Sequence, residues 1–220
     1  MFIGHFAVAL GAKKYAPQVS LGALFLACQL ADLVWPNFVL LGLESFAIDP
    51  GNTAMTPLHF SYYPYSHSLV AMSLWAALFA ALYALLRRGR VRPAVLLGAV
   101  VLSHWFLDVL THRPDMPLAA GESARIGFGL WNFPVAAVSV EAAMFAVGAL
   151  VYLRQTQAVD RQGQLGLWAL LVLLAGVYAA NVAAPPPPSA AAVTWSAQAM
   201  WLFVAWAFWV DRHRAPRSAA

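Results

Sequence analysis

Residues 93–112 read PAVLLGAVVLSHWFLDVLTH. A helix needs ~20 predominantly apolar residues to cross a ~30 Å hydrocarbon core, and this stretch supplies them. It also carries His104, Asp108 and His112 inside or at the end of the run. An ionisable group in a membrane span is costly and marks a functional site by default. The first property points to the fold and the second to where chemistry is sought.

Working outward, comparable runs occupy residues 19–43, 66–86, 133–153, 165–184 and 190–210. The whole chain is 62% hydrophobic and only 10% charged, with a mean hydropathy of +0.68, too little polar surface to solvate a soluble domain of this size. The fold class expected is therefore all-α: a polytopic transmembrane helical bundle of about six spans plus a short N-terminal helix. Residues 1–220 form one integral membrane domain in this reading, because the spans leave no residues for a second one. Residues 1–12 are apolar but too short for a standard span, and suit a half-helix or re-entrant piece covered by protein. With His5 and no basic stretch before it, this segment is a poor match to a cleavable signal peptide and is expected to stay in the mature chain. The single Cys28 excludes an internal disulfide or a cysteine-rich metal knuckle.

Basic residues set the orientation, since positive loops stay cytoplasmic. If the spans alternate, Lys13 and Lys14, then Arg87, Arg88, Arg90 and Arg92, then Arg154 and Arg161, and finally Arg212, Arg214 and Arg217 share one side, and only Arg113 and Arg125 fall on the other. Residues 44–65, 113–132 and the four prolines at 185–188 then face outward, and 212–220 is a cytoplasmic tail that includes a solvated His213. The proline run cannot be helix and reads as a stiff polyproline connector. Basic residues in short clusters between spans are topology signals, so no nucleic-acid partner is expected. Small residues such as Ala76, Ala77, Ala80 and Ala81 would let helices approach closely.

The polar residues of the spans are His5, Asp32, His67, His104, Asp108, His112 and Glu141. His104, Asp108 and His112 are four apart, which predicts one stripe on one helix face. Two imidazoles and a carboxylate suit a zinc-class ion, whose nitrogen and oxygen ligands lie at ~2.0 to 2.2 Å; the competing reading is a polar seam joining helices. Counting about 1.5 Å per residue from the basic end places Asp32, His67, His104, Asp108, His112 and Glu141 about 18 to 30 Å up their spans, a shared level in the outer half of the core. His59, Asp49 and Asp115 lie in outward loops, and residues 49–52 read as a turn.

The motif order resembles the predicted membrane-bound metal-dependent hydrolase family of bacteria and archaea. Gly4-His5-Phe6 matches its opening, Ala31-Asp32 through Pro36 part of a Pro-Asp-x-Asp motif, and Tyr63-Pro64-Tyr65-Ser66-His67-Ser68 the place of His-Arg-Gly-x-Thr-His-Ser. Ser103-His104 through Asp108 and Thr111 match Ser-His-x-x-x-Asp-x-x-Thr, and Gly129 to Pro134 a Leu-Trp-Pro-like segment. The likeness covers residues 1–135, with 136–211 as additional spans. Val34 stands where the family has a second aspartate, and Tyr63 to Tyr65 where it has His-Arg-Gly. A more distant likeness runs to zinc-dependent phospholipases C and single-strand nucleases. The resemblance implies one to three zinc-class ions held by His5, Asp32, His67, His104 and Asp108, with Glu141, Asp115 or His112 as general base or orienter. It also implies hydrolysis of a lipid or phosphoester reached from the outer face of the cytoplasmic membrane. The alternative is a non-enzymatic metal or proton carrier, or a helper subunit with a structural metal; haem ligation by His67 and His104 is a third reading. No Gly-x-Ser-x-Gly elbow supports a serine hydrolase.

Overall fold

The computed structural model describes residues 1–217. Its helices are α1 (Ile3–Ala12), α2 (Leu21–Cys28), α3 (Leu30–Leu40), α4 (Pro64–His67), α5 (Leu69–Leu86), α6 (Val91–Thr111), α7 (Pro134–Gln155), α8 (Arg161–Ala183), α9 (Ala190–Ala197) and α10 (Met200–Arg212). Five segments are long and apolar enough to cross a membrane: α5, α6, α7, α8 and the combined α9–α10. The α2–α3 pair, bent by 53°, makes a sixth when its two helices are counted as one span. The all-α polytopic bundle expected from composition is the observed architecture. Leu74, Leu78, Leu82 and Leu85 are exposed along α5, the face such a helix turns to lipid.

The run expected as one span over 19–43 is broken. Ser20 caps α2 by accepting the Ala23 N–H, and the helix stops at Cys28 before resuming at Leu30. Pro36, inside α3, has no N–H to offer the carbonyl of Asp32. The break and the proline together free backbone carbonyls beside the residues that carry the site.

Helix α1 is too short to span and instead lies in the centre of the bundle, with Ile3, Gly4, His5, Phe6, Ala7, Ala9, Leu10 and Ala12 all buried. It packs chiefly along α7 and also touches α2 and α6. Close approach is possible because Gly148 of α7 lacks a side chain: a Cβ there would lie 2.5 Å from the Ala7 carbonyl oxygen. Likewise Gly98 of α6 faces the Ala76 carbonyl and Ala80 of α5, as the small residues of that span predict.

The segment 44–65, expected to face outward and read as loop, contains an antiparallel hairpin of β1 (Ser45–Ile48) and β2 (Leu58–Tyr62) around the turn begun by Asp49. Short pairs also form between β3 (Met116–Pro117) and β4 (Arg125–Ile126), and between β5 (Thr156–Ala158) and β6 (Arg214–Pro216). The last pair ties part of the expected tail 212–220 to the α7–α8 connection; residues 218–220 lie outside the described residues. His213, read as a solvated residue, instead places Nδ1 2.7 Å from Asp160 Oδ2 at the N-cap of α8.

Gly148→Ala should destabilise the protein by about 1–3 kcal/mol through overpacking. Gly176→Ala, where a Cβ meets open space, should be neutral or mildly stabilising. Unfolding in detergent checks both, and equal midpoints for the two variants would contradict the α1–α7 approach.

Candidate metal centre

The five sequence-derived ligand candidates arrive from four elements. His5 comes from the first turns of α1, Asp32 from the first turn of α3, His67 from the end of α4, and His104 and Asp108 from α6. Asp108 is the hub. Its Oδ1 lies 3.1 Å from His5 Nε2 and 2.5 Å from the Met1 nitrogen, and its Oδ2 lies 3.1 Å from His104 Nε2 and 3.9 Å from His67 Nε2. Asp32 Oδ1 lies 3.4 Å from His67 Nε2 and 3.8 Å from His104 Nε2. His5 stacks on His104 with ring centroids 3.7 Å apart. His5, His104 and Asp108 form one group of ligand atoms with the spacing to hold an ion; Asp32, His67 and His104 form another.

Hydrogen bonds behind the rings decide which nitrogen faces inward. The carbonyl of Cys28, freed by the helix break, can only accept, so His104 Nδ1, 2.8 Å away, must donate to it. Neutral His104 therefore presents an unprotonated Nε2 to Asp108 and Asp32. On His67, Ser66 Oγ donates to the Glu44 carboxylate at 2.6 Å and so accepts from His67 Nδ1, also at 2.6 Å. That leaves the His67 Nε2 lone pair facing the same two carboxylates. Although 3.1 Å from Asp108 Oδ2, His104 Nε2 makes no hydrogen bond to it, and neither it nor His5 Nδ1 has a partner. Buried polar atoms are normally satisfied, and lone pairs turned toward carboxylate oxygens call for a cation.

The spacing agrees. Ligands at about 2.0–2.2 Å in a tetrahedron stand about 3.3–3.6 Å apart, and each of the two inward nitrogens lies 3.1–3.9 Å from both carboxylates. The buried His/Asp cluster can hold a metal ion.

The remaining candidates lie around this centre with different surroundings. His112 is not the third member of a stripe: α6 ends at Thr111, ahead of Pro114, and His112 turns to extended backbone at ψ 148°. Its Nδ1 lies 2.9 Å from Asp115 Oδ1, and its ring packs on Trp131 at 4.4 Å between centroids. Asp115 also accepts from the Tyr63 hydroxyl at 3.0 Å and lies 3.4 Å from Arg113 Nε. Burial alone would raise the Asp115 pKa, but the His112 bond and charge, the Tyr63 bond and Arg113 outweigh it and hold it below the ordinary carboxylate value. Burial and the nearby Asp115 push the Tyr63 phenol well up, so it remains a donor. Glu141 accepts the backbone N–H groups of Phe2 and Gly4 at 2.8 and 3.1 Å, capping α1 from a neighbouring helix. His59 stays on the hairpin, 3.9 Å from Asp49, away from the cluster.

Two groups central to this geometry were not legible as such. Glu44, one residue past an apolar run, reads as a loop carboxylate, yet it is buried and accepts the N–H groups of Tyr65 and Ser66 as well as the Ser66 hydroxyl. The Cys28 carbonyl carries no sequence signal at all.

A cavity of about 680 Å³ opens onto the centre, with Asp32, His67, Asp108, His112 and Glu141 on its wall. Prolines 185–188, Trp131 and part of the β1–β2 segment also line it, all from segments expected to face outward. Comparison with protein-family models, curated proteins and solved structures finds no match to this chain.

Ser66→Ala and Glu44→Gln should each weaken divalent-metal affinity about 10–100-fold, the usual loss when the partner behind a ligating histidine is removed. Chelator competition measures this, and unchanged affinity would show that His67 needs no such support. Because its folded pKa is depressed, Asp115 contributes stability that is complete above its unfolded value near ~3.9 and lost as pH falls through the folded one. Asp115→Asn should cost about 1–3 kcal/mol at neutral pH. The gap to wild type should close in acid, as read from unfolding midpoints across pH.

Proposed function

We propose that this chain is a membrane-embedded metal-dependent hydrolase that acts on a lipid or phosphoester from the outer face of a bacterial or archaeal cytoplasmic membrane, with its C-terminus cytoplasmic. The observation that carries the reading is the pair of histidines whose outer nitrogens are committed to fixed acceptors, leaving both inner lone pairs aimed at buried Asp108 and half-buried Asp32 beside an open cavity. His67, His104, Asp32 and Asp108 would hold a divalent ion of the zinc class, with His5 fixing Asp108 or binding in the second group.

Such an ion, when bound, lowers the pKa of water and so supplies a nucleophile near neutral pH. The chain's own residues do the rest. Glu141 anchors α1 and with it His5. Asp115 and Tyr63 hold the His112 ring at the cavity wall, where it is the general base or acid nearest a bound substrate.

A carrier needs a route through the bilayer. Toward the basic end, the ligand-bearing helices and α2 bury Leu10, Phe25, Leu97 and Val101 below the centre, which favours a site served from one side.

Metal analysis of detergent-purified protein tests the reading. Wild type should carry zinc, manganese or iron, lost in both His104→Ala and Asp108→Ala. A folded wild type with no metal after reconstitution would overturn it.

A further inference from the structure

The wall of the cavity has a charge pattern that narrows the substrate class, and this deepens the hydrolase reading on which it rests. No lysine or arginine side chain lines the cavity among the described residues; its carboxylate and imidazole side chains are Asp32, His67, Asp108, His112 and Glu141. The Met1 nitrogen is engaged by Asp108. The three positive charges of one divalent ion and the Met1 ammonium are matched by the carboxylates of Asp32, Asp108 and Glu141, the last also accepting two backbone N–H groups. Nothing remains to meet the charge of a phosphate. Sites that bind phosphoesters normally supply Arg or Lys for that purpose, because a buried anion without a partner is costly.

The rest of the wall is mostly apolar, with Trp35, Met55, Leu58, Phe60, Val193 and Met200, beside neutral Thr56, Asn181 and Ser196. The volume falls within the roughly 300–1,000 Å³ usual for a small-molecule site. We infer that the cavity takes an uncharged headgroup on an apolar chain, a long-chain carboxylic ester or amide, in preference to a phosphoester. The reaction balances without a further reagent. A water oxygen bonds to the carbonyl carbon and the C–O or C–N single bond breaks. The departing alcohol or amine takes up one proton of the water. His112, on the wall and supported by Asp115, is placed to pass that proton.

The test is binding, read apart from turnover. N-dodecylacetamide and dodecyl phosphate, of equal chain length, are titrated into the full chain in phosphatidylcholine nanodiscs, with and without zinc, and empty nanodiscs are subtracted. The amide should bind about tenfold or more tightly than the phosphate in both states. Met55→Lys, which adds a positive charge to the wall, should narrow that gap while metal content stays unchanged. Dodecyl phosphate binding as tightly as the amide to wild type, or neither binding above background, would overturn the inference. If zinc fails to bind while the amide preference persists, the hydrolase reading falls and the selectivity of the cavity stands.

Discussion

A carboxylate buried in an apolar bundle must be compensated or it destabilises the fold by several kcal/mol, and Asp108 is such a carboxylate. Its side chain is only 4% exposed, and every polar element of the centre is arranged around it. His5 reaches it from α1, His67 from α4, and His104 from one turn earlier on its own helix. Three elements far apart in sequence, α1, α4 and α6, therefore meet at one buried charge. The Met1 ammonium also reaches it, while His104 Nε2 and His5 Nδ1 are left without hydrogen-bond partners. Those open nitrogens leave the cluster able to hold a metal ion.

The same economy holds the ligand-bearing segments in place. Without water, the free N–H groups at a helix start must find acceptors within the protein. Glu141 supplies them to α1 and Glu44 to α4, each from another segment. Each capping carboxylate thus fixes the helix that carries a histidine, so positioning and backbone satisfaction are one interaction. Glu44 does more, since its bond to Ser66 sets which nitrogen His67 turns inward.

The break between α2 and α3 belongs to this scheme. A continuous helix would use the Cys28 carbonyl in its own ladder; the 53° bend releases it to His104. Irregular backbone at membrane depth is tolerated where protein covers it, and here the released carbonyl serves as an acceptor behind a candidate metal ligand. The cavity opens onto the cluster beside this break, with Asp32 of α3 on its wall.

Composition and hydropathy alone determined the bundle and its spans, because a bilayer demands long apolar helices and tolerates few alternatives. The identity of the cluster was also legible. His5, Asp32, His67, His104 and Asp108 stand out as ionisable groups in apolar runs, and a count of helical rise places Asp32, His67, His104 and Asp108 in the same half of the core. What sequence could not supply was rotation, tautomer and register. His112 fits a four-residue period on paper, but the helix ends one residue before it, and its ring pairs with Asp115 instead. Glu44, the Cys28 carbonyl and the capping role of Glu141 depend on contacts between segments that are distant along the chain. A hydrogen bond is directional over about 3 Å, and only the packed tertiary structure brings such partners within that distance.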